Sequence, residues 1–168
     1  MVVMRRTSFA TWPCSVARTM DLLGDWWTPL VLRDAFYGIR RFDDFAAGLG
    51  IARNTLSERL RRLVDEGLME KQPYQSDPVR YDYVLTEKGR DFFGVLAAMT
   101  AWGDRWLADS AGPPIVLHHS CGHDAEVVTT CSHCGQPVTA DNTEMRLGPG
   151  YPPRLAQALR DRNDPRFR

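Results

Sequence analysis

The feature that most constrains this chain is a pair of short helices joined by a three-residue link. Apolar side chains recur at helical spacing over 42–49, and again over about 53–66. The link Gly50-Ile51-Ala52 places a glycine at the bend, which is typical of a helix-turn-helix. The two helices are therefore predicted to cross within one small, packed unit.

A β-hairpin is predicted directly after the second helix. The period of the apolar residues changes to two over 68–72 and 80–85, and the turn-rich segment 73–78 separates these runs. A helix-turn-helix followed by a hairpin is a winged helix. The predicted fold class is mainly α, with a small β-hairpin wing. A small, β-rich appendage at the C-terminal end is zinc-ribbon-like, because cysteines and histidines recur there at ligand spacing over 118–134.

Three further helices are predicted around this unit. One covers about 14–23 and stops at Gly24, and Asp25 then caps a second that runs through Phe36. The third begins at the cap Thr86 and continues to about residue 108. Its apolar stripe is wider than one contact face needs, which indicates a subunit interface.

Composition limits the class of protein. The 168 residues are 43% hydrophobic and 25% charged, with 21 basic and 21 acidic side chains, as in a soluble globular protein. No apolar stretch approaches the ~18–20 residues that cross a bilayer, and residues 1–6 do not open a secretory signal. We expect a cytoplasmic protein with no membrane partner, in which any binding of nucleic acid depends on a local basic surface.

The chain is predicted to divide at Ala111-Gly112-Pro113-Pro114. Residues 1–110 form the winged-helix and dimerisation domain, residues 111–147 the zinc-ribbon-like appendage, and residues 148–168 a Pro/Arg-rich tail with one short helix over 155–160.

The second helix of the pair carries the chemistry of a DNA-recognition element. Opposite its leucine stripe lie guanidinium, amide and hydroxyl groups, which match base edges and phosphates in a major groove. The predicted DNA-binding residues there are Arg53, Asn54, Thr55, Ser57, Arg61 and Arg62, and Arg40 and Arg41 are placed to contact phosphates. A solvated helix face, or a protein-interaction module that uses the winged helix and the ribbon as docking surfaces, is the alternative interpretation.

The sequence resembles the HxlR-type transcriptional regulators over about residues 14–107. The resemblance depends on these segments: Cys14-Ser-Val-Ala-Arg18, Leu23-Gly24-Asp25-Trp26-Trp27-Thr28, Leu30-Val-Leu-Arg33, Arg41-Phe42, Asn54-Thr55-Leu56-Ser57-Glu58-Arg59-Leu60, Glu66-Gly67-Leu68 and Leu85-Thr86-Glu87-Lys88-Gly89. It implies a homodimeric, MarR-like winged-helix regulator, dimerised through its first helix and the helix after the wing, that binds double-stranded DNA at a palindromic operator.

The resemblance also assigns roles to individual residues. Asn54, Thr55, Ser57 and Arg61 would enter the groove, and Arg80 on the wing would contact the backbone or the minor groove. Ala52 departs from the family pattern, which often has a capping residue there, so the recognition helix should begin with a weak N-cap.

Cys14 is a candidate redox-sensing residue. Several regulators of the resembled family sense oxidants or electrophiles through a cysteine at this position, and a thiol near a helix N-terminus is favoured as the thiolate. The alternative is a small residue buried in the dimer interface. A small-molecule effector is a further candidate signal, but no set of residues identifies it.

Two similar short motifs occur late in the chain, His118-His119-Ser120-Cys121-Gly122 and Cys131-Ser132-His133-Cys134-Gly135. Their spacing predicts one structural zinc ion held by His118, Cys121, Cys131 and Cys134, with His123, or else His119, as the alternative nitrogen ligand. A metal-free ribbon and a Cys131–Cys134 disulfide remain open alternatives. Catalysis is not expected, because Gly135-Gln136-Pro137 prevents the helix that a redox dithiol needs, and no motif of a common enzyme class occurs.

Overall fold

The computed structural model of the chain describes residues 8–161. The described chain divides into two compact units, of which one spans Leu23–Val127 and the other comprises residues 8–22 and 128–161. The elements are α1 (Ser15–Leu23), α2 (Trp27–Phe36), α3 (Phe42–Leu49), α4 (Arg53–Asp65), β1 (Met69–Ser76), β2 (Val79–Leu85), α5 (Glu87–Asp91), α6 (Phe93–Leu107) and α7 (Pro153–Asp161).

The core of the Leu23–Val127 unit lies where α2, α3, α4 and the start of the hairpin meet. Its fully buried side chains come from all four elements: Val31, Leu32, Phe45, Leu56, Leu60, Leu63, Leu68 and Met69. The helix-turn-helix and its hairpin are thus confirmed, and α3 has its predicted bounds. Gly50 ends α3 with a φ of +60°, a left-handed conformation that glycine adopts without a steric cost.

The wing is longer than its sequence pattern predicts. β1 and β2 pair antiparallel from Met69 opposite Leu85 to Ser76 opposite Val79, so most of the predicted loop belongs to the strands. The register shifts between Pro73 and Gln75. Because proline has no backbone N–H to donate, a bulge there allows pairing to continue beyond it.

The predicted long helix after the wing is two helices. Thr86 caps α5 as expected, since its Oγ1 accepts the N–H of Gly89 at 3.1 Å. The α-helical pattern is interrupted at Phe92, whose N–H bonds the carbonyl of Gly89 in a tighter, three-residue turn at 3.2 Å. The helix then resumes as α6, which ends at Leu107.

The region after the winged helix has little regular structure in the described residues. The β-prone runs that the sequence indicates there form only the isolated bridges His118–Asp124 and Thr130–Pro137. In the tail, α7 confirms the predicted helix and begins two residues earlier. Residues 1–6, considered above as a signal segment, and tail residues 162–168 lie outside the described part.

Across the described range 8–161, none of the helices is both long enough and apolar enough to cross a membrane.

Candidate nucleic-acid interface

The outer face of α4 presents the polar side chains that the sequence singled out. Leu56, Leu60 and Leu63 are buried on its inner side. The opposite side therefore faces solvent, as an amphipathic helix requires. Four of the predicted DNA-binding residues line a shallow groove of 320 Å³ together with Glu58: Asn54, Thr55, Ser57 and Arg61. The structure thus brings amide, hydroxyl and guanidinium groups together around one shallow groove.

Arg53, at the start of α4, is held against α3. Its Nη1 lies 2.8 Å from Asp43 Oδ1, and its guanidinium carbon lies 4.7 Å from the centroid of the Phe42 ring. The predicted weak cap is confirmed, because Ala52 makes no side-chain capping bond. Arg53 therefore ties the start of α4 to α3, and its side chain remains exposed.

Further along α4, Arg59 makes a contact that the sequence analysis missed. Its guanidinium forms an ion pair with Asp25, and both side chains are mostly buried. Arg62, which the sequence placed among the DNA-binding residues, is half-buried rather than fully exposed. No periodic or motif signal links position 25 to position 59, so only the packing of α2 on α4 reveals this pair.

Arg40 and Arg41 lie beside the wing. The N–H of Tyr83 donates to the carbonyl of Arg40 at 2.8 Å, and Arg41 forms an isolated bridge with Asp82. The Arg41 guanidinium carbon lies 4.7 Å from the Tyr74 ring centroid, and its Nε lies 3.9 Å from Asp82 Oδ1. The isolated bridge and the backbone hydrogen bond thus place both arginines next to the hairpin.

The wing adds its own basic and aromatic groups. Arg80 is exposed on β2, opposite Gln75 of β1. Lys71, which sequence reasoning missed, lies 5.7 Å from the Tyr81 ring centroid and 5.8 Å from that of Tyr83. Burial raises the pKa of the Tyr83 hydroxyl, which keeps it protonated. The sequence signal that could have identified Lys71 is a lysine within an alternating run next to tyrosines.

A hydrogen-bonded joint connects α4, the wing and α5. Thr86 Oγ1 donates to the carbonyl of Gly67 at 2.7 Å, and its N–H donates to the carbonyl of Leu68 at 3.0 Å. Lys88 Nζ donates to the carbonyl of Glu66 at 2.6 Å. The end of the recognition helix is thereby fastened to the helix pair that follows the wing.

One face of α6 is apolar and exposed. Only Ala97 of this helix is buried, whereas Met99, Trp102 and Trp106 are 52%, 60% and 63% exposed. Met99 and Trp102 line an apolar groove of 710 Å³. An exposed apolar surface of this kind marks an interaction site.

Cys14 lies just before α1 and is exposed. The N–H of Ala17 donates to its Sγ at 3.5 Å, so the sulfur takes part in capping the first turn. The guanidinium of Arg18 bonds Ser15 Oγ at 3.5 Å. The helix-terminal position that the sequence predicted for this thiol is thus present in the structure.

The first Cys/His turn, at 118–124, contains two pairs of side chains. His118 Nδ1 lies 3.0 Å from Asp124 Oδ1, whereas Cys121 Sγ lies 3.8 Å from His123 Nδ1. Ligand atoms of a tetrahedral zinc ion lie about 3.5–3.8 Å apart, given Zn–S and Zn–N bonds of ~2.3 and ~2.0 Å. Cys121 and His123 therefore lie close to the spacing of two zinc ligands.

The second turn, at 131–136, contains the two remaining predicted cysteine ligands. The pKa of the Cys131 thiol is lowered by the backbone N–H of Cys134, then by that of His133, and then by the Cys134 side chain. Within residues 8–161, no three metal-binding side chains lie close enough together to hold an ion. The four-residue zinc set therefore stays a prediction of the sequence.

Comparison with known proteins agrees with this geometry. A family model described as HxlR-like helix-turn-helix matches residues 22–111. The chain is 49% identical over 145 residues to the HTH-type transcriptional regulator Rv3095 of Mycobacterium tuberculosis, and the match covers 86% of this chain and 92% of that protein.

Solved structures are also similar. The crystal structure of PA1607 shares 35% identity with a TM-score of 0.76, covering 84% of this chain and 100% of that one. The redox regulator HypR, in its reduced form, shares 28% identity with a TM-score of 0.51, covering 55% of this chain and 92% of that one. These matches confirm the resemblance that the sequence motifs indicated. The chain belongs to the HxlR-like helix-turn-helix family and is a DNA-binding transcriptional regulator.

Proposed function

We propose that this regulator binds a palindromic operator as a homodimer, with one α4 in the major groove of each half-site. The observation that carries the proposal is the exposed face of α4, where Asn54, Ser57 and Arg61 surround one groove above a buried leucine stripe. Half-sites of a twofold-symmetric helix-turn-helix dimer lie about 34–36 Å apart, or a multiple of that distance.

The side chains divide into two roles in this proposal. Arg61 and Asn54 read base edges, because a guanidinium fork matches guanine and an amide matches adenine. Thr55 and Ser57 bond either bases or phosphates. The remaining basic residues contact the DNA phosphate backbone and fix the register of the protein on the duplex. They are Arg40, Arg41, Arg53, Arg62, Lys71 and Arg80.

Dimerisation in this proposal uses the exposed apolar face of α6. Trp102 and Met99 supply large apolar areas that water contacts in the isolated chain. Burying these side chains against a second copy removes them from water, which stabilises the dimer by roughly 25 cal/mol per Å² of apolar surface. The exposed Val16 and Met20 of α1 favour a contribution from that helix as well.

The proposal is tested by fluorescence anisotropy with the reduced protein. One labelled duplex carries the intergenic DNA upstream of its own gene, a second carries the same bases scrambled, and salt is varied for both. We expect tighter binding to the first duplex. Weak, equal binding to both that vanishes with salt would point to an operator elsewhere. If neither duplex binds at low salt, the operator proposal is wrong and a role as a protein-docking module replaces it.

We also propose that Cys14 makes DNA binding responsive to oxidants. Its exposed sulfur at the start of α1 supports this, as does the similarity to HypR, which is a redox regulator. Oxidant treatment should change operator affinity in the wild-type protein and leave Cys14→Ser unchanged. An equal response in both proteins would exclude Cys14 as the sensor. A small-molecule effector remains the alternative signal, and we propose the cytoplasm, where the operator lies, as the compartment.

A further inference from the structure

The turn at 131–136 has a closed backbone that holds two thiols side by side. The N–H of Cys131 donates to the carbonyl of Gln136 at 2.8 Å, and the N–H of Gly135 donates to the carbonyl of Cys131 at 2.8 Å. Gly135 has a φ of +73°, a left-handed conformation that strains other residues. The glycine after the second cysteine is thus what allows the chain to reverse there.

The two cysteines stand three residues apart on this turn, and both line the same open groove. This is the spacing of a cysteine knuckle, in which two thiolates supply half of a tetrahedral zinc site.

Both sulfurs are accessible to an ion from solvent. Cys134 is exposed and Cys131 is half-buried, and both line an open groove of 560 Å³. No α-helix begins at this turn, which leaves the cysteines without the helix N-terminus that activates a redox dithiol. The surroundings therefore favour binding of an ion over catalysis of thiol exchange.

The segment around the turn lacks a core of its own. Of the described residues from 128 to 161, only Ala156 is buried. A segment of this size that buries so little apolar surface needs a staple such as a structural metal or a disulfide. Its cysteines are not joined by a disulfide in the described residues, so their thiols are available to a metal.

We propose that Cys131 and Cys134 bind one Zn²⁺ ion as paired thiolates and that this ion braces the 131–136 turn. Each thiol releases its proton to solvent as its S–Zn bond forms, and no redox change is involved. Soft thiolate ligands select zinc over calcium or magnesium. The sequence-predicted set adds Cys121 and one histidine, but the proposal here depends on the two cysteines of this turn.

The test measures metal in the full-length protein. The wild-type protein is reduced, equilibrated with zinc and passed through gel filtration. Inductively coupled plasma mass spectrometry should then find about one zinc per chain. Cys131→Ser and Cys134→Ser should each lose that zinc, whereas the matched variant Cys14→Ser should retain it. A wild-type protein that leaves gel filtration without zinc, or serine variants that keep it, would overturn the proposal.

A second measurement guards against variants that fail to fold. Cobalt is added to metal-free wild-type protein, and the absorption of tetrahedral Co²⁺ and of sulfur-to-cobalt charge transfer is followed. We expect both signals, and we expect zinc to displace them. The absence of the charge-transfer band would show that no thiolate binds the ion, and the proposal would then be wrong.

Discussion

Arg59 and Asp25 join the recognition helix to the helix beneath it through a single carboxylate. Asp25 Oδ2 receives the Arg59 guanidinium, while Asp25 Oδ1 accepts the N–H groups of Trp27 and Thr28 at 2.9 and 3.1 Å. The same side chain therefore caps α2 and fixes α4 against it. The tilt of α4, on which its proposed fit into a major groove depends, is set in part by this pair.

Replacing Asp25 should lower stability through two separable contributions, the helix cap and the ion pair. Asp25→Ala removes both the cap and the ion pair, and we expect the free energy of unfolding to fall by roughly 2–4 kcal/mol. Asp25→Asn keeps an oxygen that caps α2 and loses only the charge, so a fall of about 1–2 kcal/mol is expected. Urea unfolding of the two variants measures the difference, and equal losses would contradict the double role.

Adding a methyl group at Gly89 should disrupt the joint behind the wing. A Cβ there would lie 2.0 Å from the carbonyl oxygen of Leu68, so α5 or the start of β1 must move. We expect Gly89→Ala to lower the free energy of unfolding by roughly 1–3 kcal/mol or more.

Gly48→Ala is the matched control for that variant. A Cβ at Gly48 meets only Asp34 Oδ2, at an ordinary 3.6 Å, within a helix. Because alanine favours a helix over glycine by roughly 0.5–1 kcal/mol, this variant should be neutral or more stable. Thermal unfolding of both proteins checks the contrast. A similar loss of stability for the two would show that the close approach at Gly89 is not its cause.

Removing the guanidinium of Arg61 should weaken operator binding by about 1–3 kcal/mol if it reads a base. Arg61→Lys keeps the charge and loses the planar fork, so it should retain the salt dependence of binding while losing discrimination between operator and scrambled duplex. Arg146→Ala, which removes an arginine paired with Glu144 in the other compact unit, serves as the control and should bind normally. If Arg61→Lys discriminates as well as wild type, Arg61 contacts phosphate rather than a base.

A charge on the apolar face of α6 should prevent dimerisation. Trp102→Glu places a carboxylate on a face that the proposal buries, and burial of an unpaired charge is strongly unfavourable. Light scattering after gel filtration should then report a monomer. Val79→Glu, at the exposed turn of the hairpin, should leave the dimer intact. A dimeric Trp102→Glu protein would assign the interface to another surface.

Replacing Cys121 tests the remaining part of the predicted zinc set. If the Cys3His interpretation of the sequence is right, Cys121→Ser should bind zinc more weakly than wild type in competition with a chelator. His123→Ala and His118→Ala, compared in the same assay, identify the nitrogen ligand, and the 3.8 Å spacing between Cys121 and His123 favours a larger loss for His123→Ala. Undiminished zinc affinity in Cys121→Ser would reject that set.

Local signals in the sequence predicted most of the winged helix. The spacing of Leu56, Leu60 and Leu63 placed one helix face in the core, and Gly50 and Gly67 ended helices, because left-handed turns favour glycine. Once the buried stripe was known, the outward position of Asn54 and Arg61 followed from helical periodicity alone. Capping by Asp25 and by Thr86 was predictable for the same local reason.

Other features depended on contacts between residues far apart in the chain. No periodic pattern in the sequence predicts the pairing of Arg59 with Asp25 or the approach of Gly89 to Leu68, because each depends on how separate elements pack. The break at Phe92 was also missed, since its apolar stripe continues through the break. The sequence by itself determined which residues face the core and which face outward. Only the tertiary structure decided which of the basic side chains are held by neighbours, because ion pairs form wherever packing brings opposite charges together.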